Sequence, residues 1–451
     1  MAGTAAQAEP RRAYRRFWFW CCCALAMVAV ALPIALQITY AGARVSARRQ
    51  VARAYSQMRA HGEPLLLSEA VPKVKPGEPN AADVYERAFQ IAPTDKEGPD
   101  FVVRRTRLTS QQLAVARGFV DANARYLSLL DQSSRIQTAA FHTNWDAGAD
   151  VKMPHLGKLR SGARGLALKA AVQASRGDPD GALASCAVIF RVGDHAVQTP
   201  VLVGYLVSVA IHGVGAAATE HVLSAGDPSE HAIRELSNQL ARISPAESLV
   251  QDMKGERAWG LTVIDLASKD TGPSVPLREL TRGSRKRLAE LMWNWQRLSY
   301  LGAMGDQIAS LSRPYAEANE ALEASEERTA RLPEYRGLMA RMIAPRGSRA
   351  LWSAYRDIAR LGAARVGLAV SAYHGGHGAY PASLTDLEKE GWKLPLDPFT
   401  QKPYQYRREV KGFTVWSVGP DLTDNHAAEY DSKVHKDLET PGYDVVFRCT
   451  R

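Results

Sequence analysis

At 451 residues the chain is long enough to form two or more hydrophobic cores. Hydrophobic residues make up 46% of it and charged residues 23%, a globular composition that excludes wholesale disorder. The formal net charge is +10, but its basic residues form no block of five or six like charges. We therefore expect attraction to anionic lipid headgroups and no nucleic-acid binding.

The first predicted element is an uncharged stretch at residues 17–40, FWFWCCCALAMVAVALPIALQITY. As a helix, its 24 residues would extend about 36 Å, enough to cross a hydrocarbon core of roughly 30 Å. Aromatic residues lie at both ends, as is typical of membrane interfaces. We predict a transmembrane helix at 17–40 that contacts membrane lipid and follows a cytoplasmic tail at 1–16.

The orientation of this helix is predicted from its flanks. Arginines lie on both sides, so the positive-inside rule is nearly balanced. A tail of 16 residues is easily retained, which favours a single pass with the large C-terminal domain outside the cytoplasm. The alternative is a cleaved signal peptide, because Ala41-Gly42-Ala43 resembles a cleavage site, although the apolar stretch exceeds the usual length of about 7–15 residues.

The middle of the chain reads as a stalk and then as helices. Residues 41–79 continue the helical pattern and then become rich in proline, so we predict a stalk and an extended linker. Residues 80–345 repeat apolar positions at helical spacing and predict a helical domain. Within it, residues 201–218 are highly apolar, but polar side chains such as His212 interrupt them, so we predict a buried core helix.

Two further predictions concern this helical domain. Residues 166–197 resemble a tetratricopeptide-type hairpin, and as a single unit we interpret them as one helical hairpin within a bundle. Separate helices are predicted over roughly 277–300 and 306–331.

The five cysteines do not form a metal-binding pattern. Cys21, Cys22 and Cys23 lie in the apolar segment, and the chain has no CxxC pair. We interpret Cys186 and Cys449 as isolated thiols, with a disulfide between them as the alternative in an oxidising compartment.

Residues 346–451 have a different pattern from the rest of the chain. A long helix is predicted at about 348–373, and YQYRR, FTVWSV and YDVVFRC follow as short β-type runs. We therefore predict a self-contained α+β cap, a long helix with a small antiparallel sheet. Four aromatic residues are expected to pack the sheet against this helix: Tyr404, Tyr406, Phe413 and Trp416. The predicted fold class is mainly α, with a transmembrane helix, a multi-helix bundle and this cap.

The segments GAYPASLTDL, LPLDPFTQKPYQYR and GFTVWSVGPDLTDN carry a resemblance to a known family. In this order they resemble the globular domain of type II secretion major pseudopilins, over roughly residues 348–451, under a quarter of the chain. Residues 17–40 contain neither the leader nor the glutamate that pseudopilins use for processing and assembly. The whole layout is similar to membrane-anchored bacterial envelope proteins common in planctomycete-like genomes, which implies location in the bacterial inner membrane.

This resemblance also implies a metal site. Major pseudopilins bind calcium in the loop that follows the S-x-G-x-D run, and oxygen ligands suit this hard cation. The matching calcium candidates here are Asp421, Asp424 and Asp444. Further oxygen donors nearby are Ser417, Glu429 and Asp431. The alternative is a solvated acidic loop in which Asp421 forms an Asx turn, and no other cofactor is predicted.

Three other groups of residues could carry chemistry. His374 and His377 have a spacing that could hold zinc with a third ligand, although histidines also suit a helix C-terminus. Residues 142–155, with His142, Trp145, Asp146 and His155, could line a groove or form a polar loop. Glu256 is predicted to be a buried ion-pair member with an arginine or a general acid. No GxSxG, HExxH, P-loop or GxGxxG motif occurs in the sequence.

Together these features predict a non-catalytic, membrane-anchored envelope protein with a binding or scaffolding role. One alternative is an accessory pseudopilin-like subunit of a type II secretion or type IV pilus-like machine. Another is an envelope hydrolase that uses residues 142–155 or Glu256. The expected protein partners are envelope or secretion-machine components.

Overall fold

The computed structural model describes residues 9–94, 99, 101–103, 108–270, 282–430 and 442–451. Within these ranges the chain is mainly helical, with a small antiparallel sheet at its C-terminal end. The helices are α1 (Glu9–Ala60), α2 (Leu67–Ala70), α3 (Ala81–Gln90), α4 (Ser110–Ala122), α5 (Ala124–Ser134), α6 (Pro154–Ser175), α7 (Pro179–Ala196), α8 (Leu202–Ala225), α9 (Glu230–Leu240), α10 (Pro245–Asp270), α11 (Arg282–Ser310), α12 (Tyr315–Ala330), α13 (Glu334–Ile343), α14 (Gly347–His377) and α15 (Leu384–Lys389). The strands are β1 (Gln405–Glu409), β2 (Gly412–Ser417) and β3 (Val445–Thr450).

Helix α1 is one continuous helix of 52 residues with Pro33 inside it. Its apolar N-terminal half is exposed, and Leu25 retains 69% of its accessible surface. Its C-terminal half packs against α11 and buries Ala47 and Val51. The predicted membrane segment and stalk therefore form a single helix, which is long and apolar enough to cross a membrane.

Helix α8 also has the length and composition of a membrane span. Half of its most apolar window is buried inside the body, however, and it packs against α6, α7 and α14. This agrees with the predicted core helix at 201–218. Helices α6 and α7 form the predicted hairpin beside it, and Asp178 caps α7 by accepting a hydrogen bond from Gly181 N.

The predicted break between helices near residue 300 was wrong. Helix α11 continues to Ser310 through Gly302 and Gly305. Apolar side chains on either side of these glycines, among them Met304, are buried in a cluster shared with α10, α12 and α14. Tertiary packing therefore outweighs the weak helix propensity of glycine here.

The C-terminal sheet has the strand order β1-β2-β3, with both pairs antiparallel. Side chains alternate across a strand, so Phe413 and Val415 share the face that packs against α14. The prediction for Trp416 was wrong, because this side chain lies on the opposite face. There its indole Nε1 donates to Asp424 Oδ1 at 2.9 Å.

The sheet shares its core with the helical body. Backbone N–H groups of Arg448 and Thr450 on the edge strand β3 donate to Glu220 and Ser224 of α8, at 2.7 and 3.1 Å. One hydrophobic cluster extends from α3 through α8 to the sheet. The region predicted as a self-contained cap therefore packs its core against α8 as well as against α14. The predicted boundary at 345/346 falls in the turn before α14.

Candidate functional site

The three calcium candidates lie in the C-terminal loop, which we define as the described residues 418–430 and 442–444. Asp444 accepts hydrogen bonds from the backbone N–H groups of Asn425 and Ala427, at 3.2 and 2.7 Å. Asp421 accepts from Thr423 N at 3.1 Å, in the predicted Asx turn, and from Gly442 N at 2.9 Å. These carboxylates therefore act as anchors of the loop backbone.

The remaining members of the predicted calcium site are placed differently. Asp424 accepts a hydrogen bond from the indole N–H of Trp416. The Ser417 hydroxyl donates to Asp397 at 3.0 Å. Glu429 forms an ion pair with Arg448 at 3.1 Å. Asp431 lies outside the described residues. Among the residues that the structure describes, no group of three His, Cys, Asp or Glu side chains is arranged to hold a metal ion. Calcium binding by Asp421, Asp424 and Asp444 stays a prediction.

Burial and hydrogen bonding act in opposite directions on Asp444. Burial raises the pKa of this carboxyl to about 6, although the N–H groups of Asn425 and Ala427 pull it down. Asp421 is placed beside a cavity of about 310 Å³ between the loop and α12 and α14. This cavity leaves no pattern in the sequence, because most of its lining residues, such as Asn319 and Trp352, are distant from Asp421 along the chain.

The two histidines with zinc-like spacing, His374 and His377, make separate interactions. His374 stacks on Tyr380, with a centroid distance of 4.4 Å, and lies 3.4 Å from an oxygen of Asp227. His377 stacks on Tyr373 at 4.1 Å and lies 3.1 Å from Glu390. Both belong to the last turn of α14, where histidine interacts favourably with the helix dipole.

The polar stretch 142–155 is partly surface and partly core. His142 is exposed, with Nδ1 3.1 Å from Glu86, and Asp146 accepts from Ser68 N. His155 is buried, stacks on Phe141 at 4.1 Å, and its Nε2 lies 2.9 Å from the Thr199 hydroxyl. Burial lowers the pKa of His155 to about 4, so this imidazole is neutral at pH 7.

Glu256 was predicted to pair with an arginine, and the structure gives it another role. Its Oε2 accepts the backbone N–H of Leu202, the first residue of α8, at 3.0 Å. The residue before α8 is Val201, which has no side-chain acceptor, so Glu256 of α10 caps this helix from outside. The neighbouring Arg257 pairs with Glu63 at 2.6 Å.

A second buried carboxylate, Asp252, lies one helical turn before Glu256. We call Asp252 and Glu256 the α10 carboxylates. Burial and the negative charge of Glu256 raise the pKa of Asp252 well above its ordinary value. Burial also raises the pKa of Glu256, against the N–H donation from Leu202. Among the described residues, Asp252 Oδ2 and the buried hydroxyl of Tyr205 have no hydrogen-bond partner.

Another buried polar group links α8 to α14. His212 Nδ1 lies 2.7 Å from Asp357 Oδ2, and both side chains are almost fully buried. Asp194 of α7 approaches the other ring nitrogen at 3.8 Å, and Arg360 lies 3.4 Å from Asp357. Tyr205 is close enough to Asp357 and Asp252 for both charges to raise its pKa, after the larger effect of burial.

Sequence reasoning missed Asp252 and Asp357 as members of buried clusters. The only available signal was a carboxylate inside an apolar helical face, as with Asp357 in the alanine-rich stripe of α14. Cys186 and Cys449 are free buried thiols, as in the interpretation of two isolated thiols, and they do not form the alternative disulfide.

The described part of the chain thus contains three candidate sites: the C-terminal loop, the α10 carboxylates and the His212–Asp357 pair. Carboxylates whose pKa values are raised by burial are more frequent at functional sites than elsewhere, which favours the α10 carboxylates for chemistry. Comparisons of the chain with protein-family models, with curated proteins and with solved structures find no match.

Proposed function

We propose that this chain is a membrane-anchored bacterial envelope protein whose body binds or scaffolds other components outside the cytoplasm. The observation that carries the proposal is the continuity of α1. An exposed apolar half that is long enough to span a bilayer passes without a break into a half that packs against α11. The body is therefore fixed to the proposed membrane helix by side-chain packing, as suits a protein that holds partners near a membrane surface.

Membrane integration is tested by fractionating cells that express the full-length chain. We expect the wild type to stay in carbonate-washed membranes, whereas Val28→Lys/Val30→Lys leaves them, because lysine inside a bilayer costs roughly 2.5–3.5 kcal/mol per residue. The control Val45→Lys places one lysine on exposed α1 surface beyond the apolar stretch and should stay in the membrane fraction. Carbonate extraction of the wild type would refute the anchor.

The orientation is tested at the turn between β1 and β2. Val410 in this turn is fully exposed, so Val410→Cys gives a reactive thiol. If the body is extracytoplasmic, a membrane-impermeant maleimide labels this variant on spheroplasts to the same extent as in lysed cells. Labelling that requires lysis would refute this orientation. The wild type supplies the background from its own cysteines.

A second candidate is an accessory pseudopilin-like subunit of a type II secretion or type IV pilus-like machine. It is favoured by the long helix α14 followed by three antiparallel strands and an acidic C-terminal loop. Crosslinking in intact cells should then recover pilin-type or secretion-channel components with the full-length protein. Recovery of unrelated envelope proteins alone would count against this candidate and would support the scaffolding role.

A third candidate is an envelope hydrolase, and the α10 carboxylates are the observation in its favour. Two buried carboxyl groups with raised pKa values could serve as a general acid and its partner. Asp252→Asn removes the acidic group at almost the same size. A deletion phenotype that this variant fails to restore, while its folded content is unchanged, would favour the hydrolase over the scaffold.

A further inference from the structure

An apolar groove of about 840 Å³ lies between α1 and α11, where the exposed half of α1 meets the body. Helix α1 contributes seven residues between positions 36 and 44 to it, and α11 contributes four between positions 287 and 295. Leu36 and Leu291 are among its apolar walls, and Arg44 and Arg287 lie among its polar ones. Its volume is within the range of about 300–1,000 Å³ that is typical of ligand pockets.

The groove lies at the level of lipid headgroups if α1 spans a bilayer. The uncharged stretch 17–40 would extend about 36 Å as a helix, against a hydrocarbon core of roughly 30 Å. About one turn of this stretch therefore lies beyond the hydrocarbon. Leu36 then lies near the boundary between the hydrocarbon core and the headgroups, and Arg44 lies among the phosphates. Trp295 and Tyr40 in the groove wall are residue types that membrane interfaces favour.

Helix α11 adds positive charge at the same level. Tyr40 lies within electrostatic range of Arg287, and Tyr55, further from the membrane, lies within range of Arg297. The two helices therefore run in the same direction, and Arg287 lies nearer the membrane than Arg297 does. Lys286 and Arg287, both exposed, give this part of α11 two adjacent positive charges.

Arg44 and Arg287, which we call the rim arginines of the groove, are available to bind an anion. Arg44 makes a long contact with Glu290, at 3.9 Å, and both side chains are about one-third exposed or more. An exposed pair of this kind contributes little to stability, so a phosphate can displace it. Arginine binds phosphate through two parallel N–H donors, which makes it well suited to a lipid headgroup. Arg44 and Arg287 against Glu290 leave the rim with a net positive charge.

We propose that this groove binds one anionic phospholipid. An acyl chain lies against Leu36 at the membrane end of the groove, and the headgroup phosphate lies between Arg44 and Arg287. Leu288 and Leu291 line the groove on the body side of the phosphate. The proposal rests on the membrane anchor proposed above and adds a defined lipid site to it. Bound lipid would fill the space between α1 and α11 and make their packing depend on membrane composition.

The test uses the full-length protein, purified in mild detergent and stripped of lipid. Dioleoyl-phosphatidylglycerol or dioleoyl-phosphatidylcholine is added, and native mass spectrometry counts the protein that carries one lipid. We expect at least fivefold higher occupancy by phosphatidylglycerol. Arg44→Gln/Arg287→Gln should lower that occupancy at least fivefold. Arg49→Gln removes one charge from exposed α1 surface outside the groove and should change it less than twofold.

A second variant separates binding in the groove from attraction to its surface. Ala41→Trp fills the groove from an exposed position and leaves both arginines in place. We expect it to lower occupancy by either lipid at least fivefold. Unchanged occupancy in this variant, or equal occupancy by the two lipids in the wild type, would overturn the proposal. If the groove does not bind lipid but α1 is a membrane anchor, the protein still stays in carbonate-washed membranes. If α1 is not an anchor, the protein leaves them. The two results are therefore distinguishable.

Discussion

His212 and Asp357 join α8 to α14 through a contact of 2.7 Å between Nδ1 and Oδ2 inside the core. Burial alone would lower the pKa of the imidazole. The charge and hydrogen bond of Asp357, together with the charge of Asp194, outweigh burial and raise the pKa of His212 to about 9. A protonated histidine therefore links the helical body to the long helix that supports the C-terminal sheet.

This pair predicts a loss of stability at alkaline pH. In the unfolded chain His212 titrates near its ordinary pKa of 6.5, so between pH 6.5 and about 9 the folded chain holds more protons. Stability then falls as pH rises. The stabilisation is complete below pH 6.5 and is lost through pH 9. Thermal unfolding of the full-length protein in detergent, in steps from pH 6 to 9.5, should show the melting temperature falling over this interval.

The Asp357→Asn variant tests the same pair at fixed pH. Removing one partner of a buried ion pair typically destabilises by about 3–5 kcal/mol, and we expect this loss at pH 7. The alkaline fall in melting temperature should also become smaller. Glu327→Gln breaks an exposed pair with Arg331 and should change stability by less than about 1 kcal/mol. A variant that kept the wild-type pH slope would contradict the role of His212.

Asp252→Asn is expected to stabilise the protein at neutral pH. The pKa of Asp252 is raised well above 3.8 by burial and by Glu256, so the folded chain holds its proton at pH values where the unfolded chain has lost it. Stability therefore falls as pH rises above 3.8, and the amide removes this loss. We expect the variant to be more stable than the wild type at pH 7 and the difference to be smaller at pH 4.5, because the amide has no proton to lose.

Its matched control is Asp150→Asn, an exposed aspartate in the turn before α6. This variant should leave the melting temperature unchanged at both pH values. If Asp252→Asn instead destabilised the protein at pH 7, the carboxylate would be ionised and paired, and the argument from burial would be wrong.

Glu256 is expected to stabilise α8 through an oxygen acceptor. Glu256→Ala leaves the Leu202 N–H without this partner and should cost about 0.5–2 kcal/mol, as for the loss of a helix cap. Glu256→Gln keeps a side-chain oxygen of the same reach and should cost less than half as much. The test is to compare the melting temperatures of the two variants with that of the wild type. An equal fall in both variants would show that the charge of Glu256 matters more than its oxygen acceptor.

The elements that could be predicted from the sequence are those with a local cause. An uncharged stretch of membrane length predicts the exposed half of α1, and polar interruptions distinguish α8 from it. The long helix α14 and the β-type runs after it also follow from spacing and turn residues. Each of these patterns is contained in one segment of the chain.

The features that could not be predicted depend on contacts between distant segments. Glu256 caps a helix that begins 54 residues earlier, and His212 meets Asp357 across 145 residues. Neither spacing leaves a pattern in the sequence. The face of Trp416 depends on strand register, and a shift of one residue reverses every side chain. The α1–α11 groove depends on packing between helices that are far apart along the chain.

Helix α14 approaches the sheet so closely at Gly367 that adding one methyl group there should lower the stability of the protein. A Cβ atom at Gly367 would overlap the ring of Phe447 on β3. Gly367→Ala should therefore cost about 1–3 kcal/mol, as overpacking of a core usually does. The control is Gly302→Ala on α11, where a Cβ atom meets open space and alanine should stabilise by up to about 1 kcal/mol. A neutral Gly367→Ala would indicate that the sheet can move away from α14.

The C-terminal loop predicts a stability effect that does not depend on calcium. Asp444→Ala removes the acceptor for Asn425 N and Ala427 N, and leaving the buried N–H of Ala427 unpaired alone costs about 1–3 kcal/mol. We expect the loss of stability to be the same in calcium and in a calcium chelator, because the Asp444 oxygens already bond the loop backbone. Thermal unfolding of the wild type and the variant under both conditions measures this. A rise in the wild-type melting temperature with calcium that Asp421→Asn abolishes would contradict it and would establish the calcium site that the pseudopilin resemblance implies.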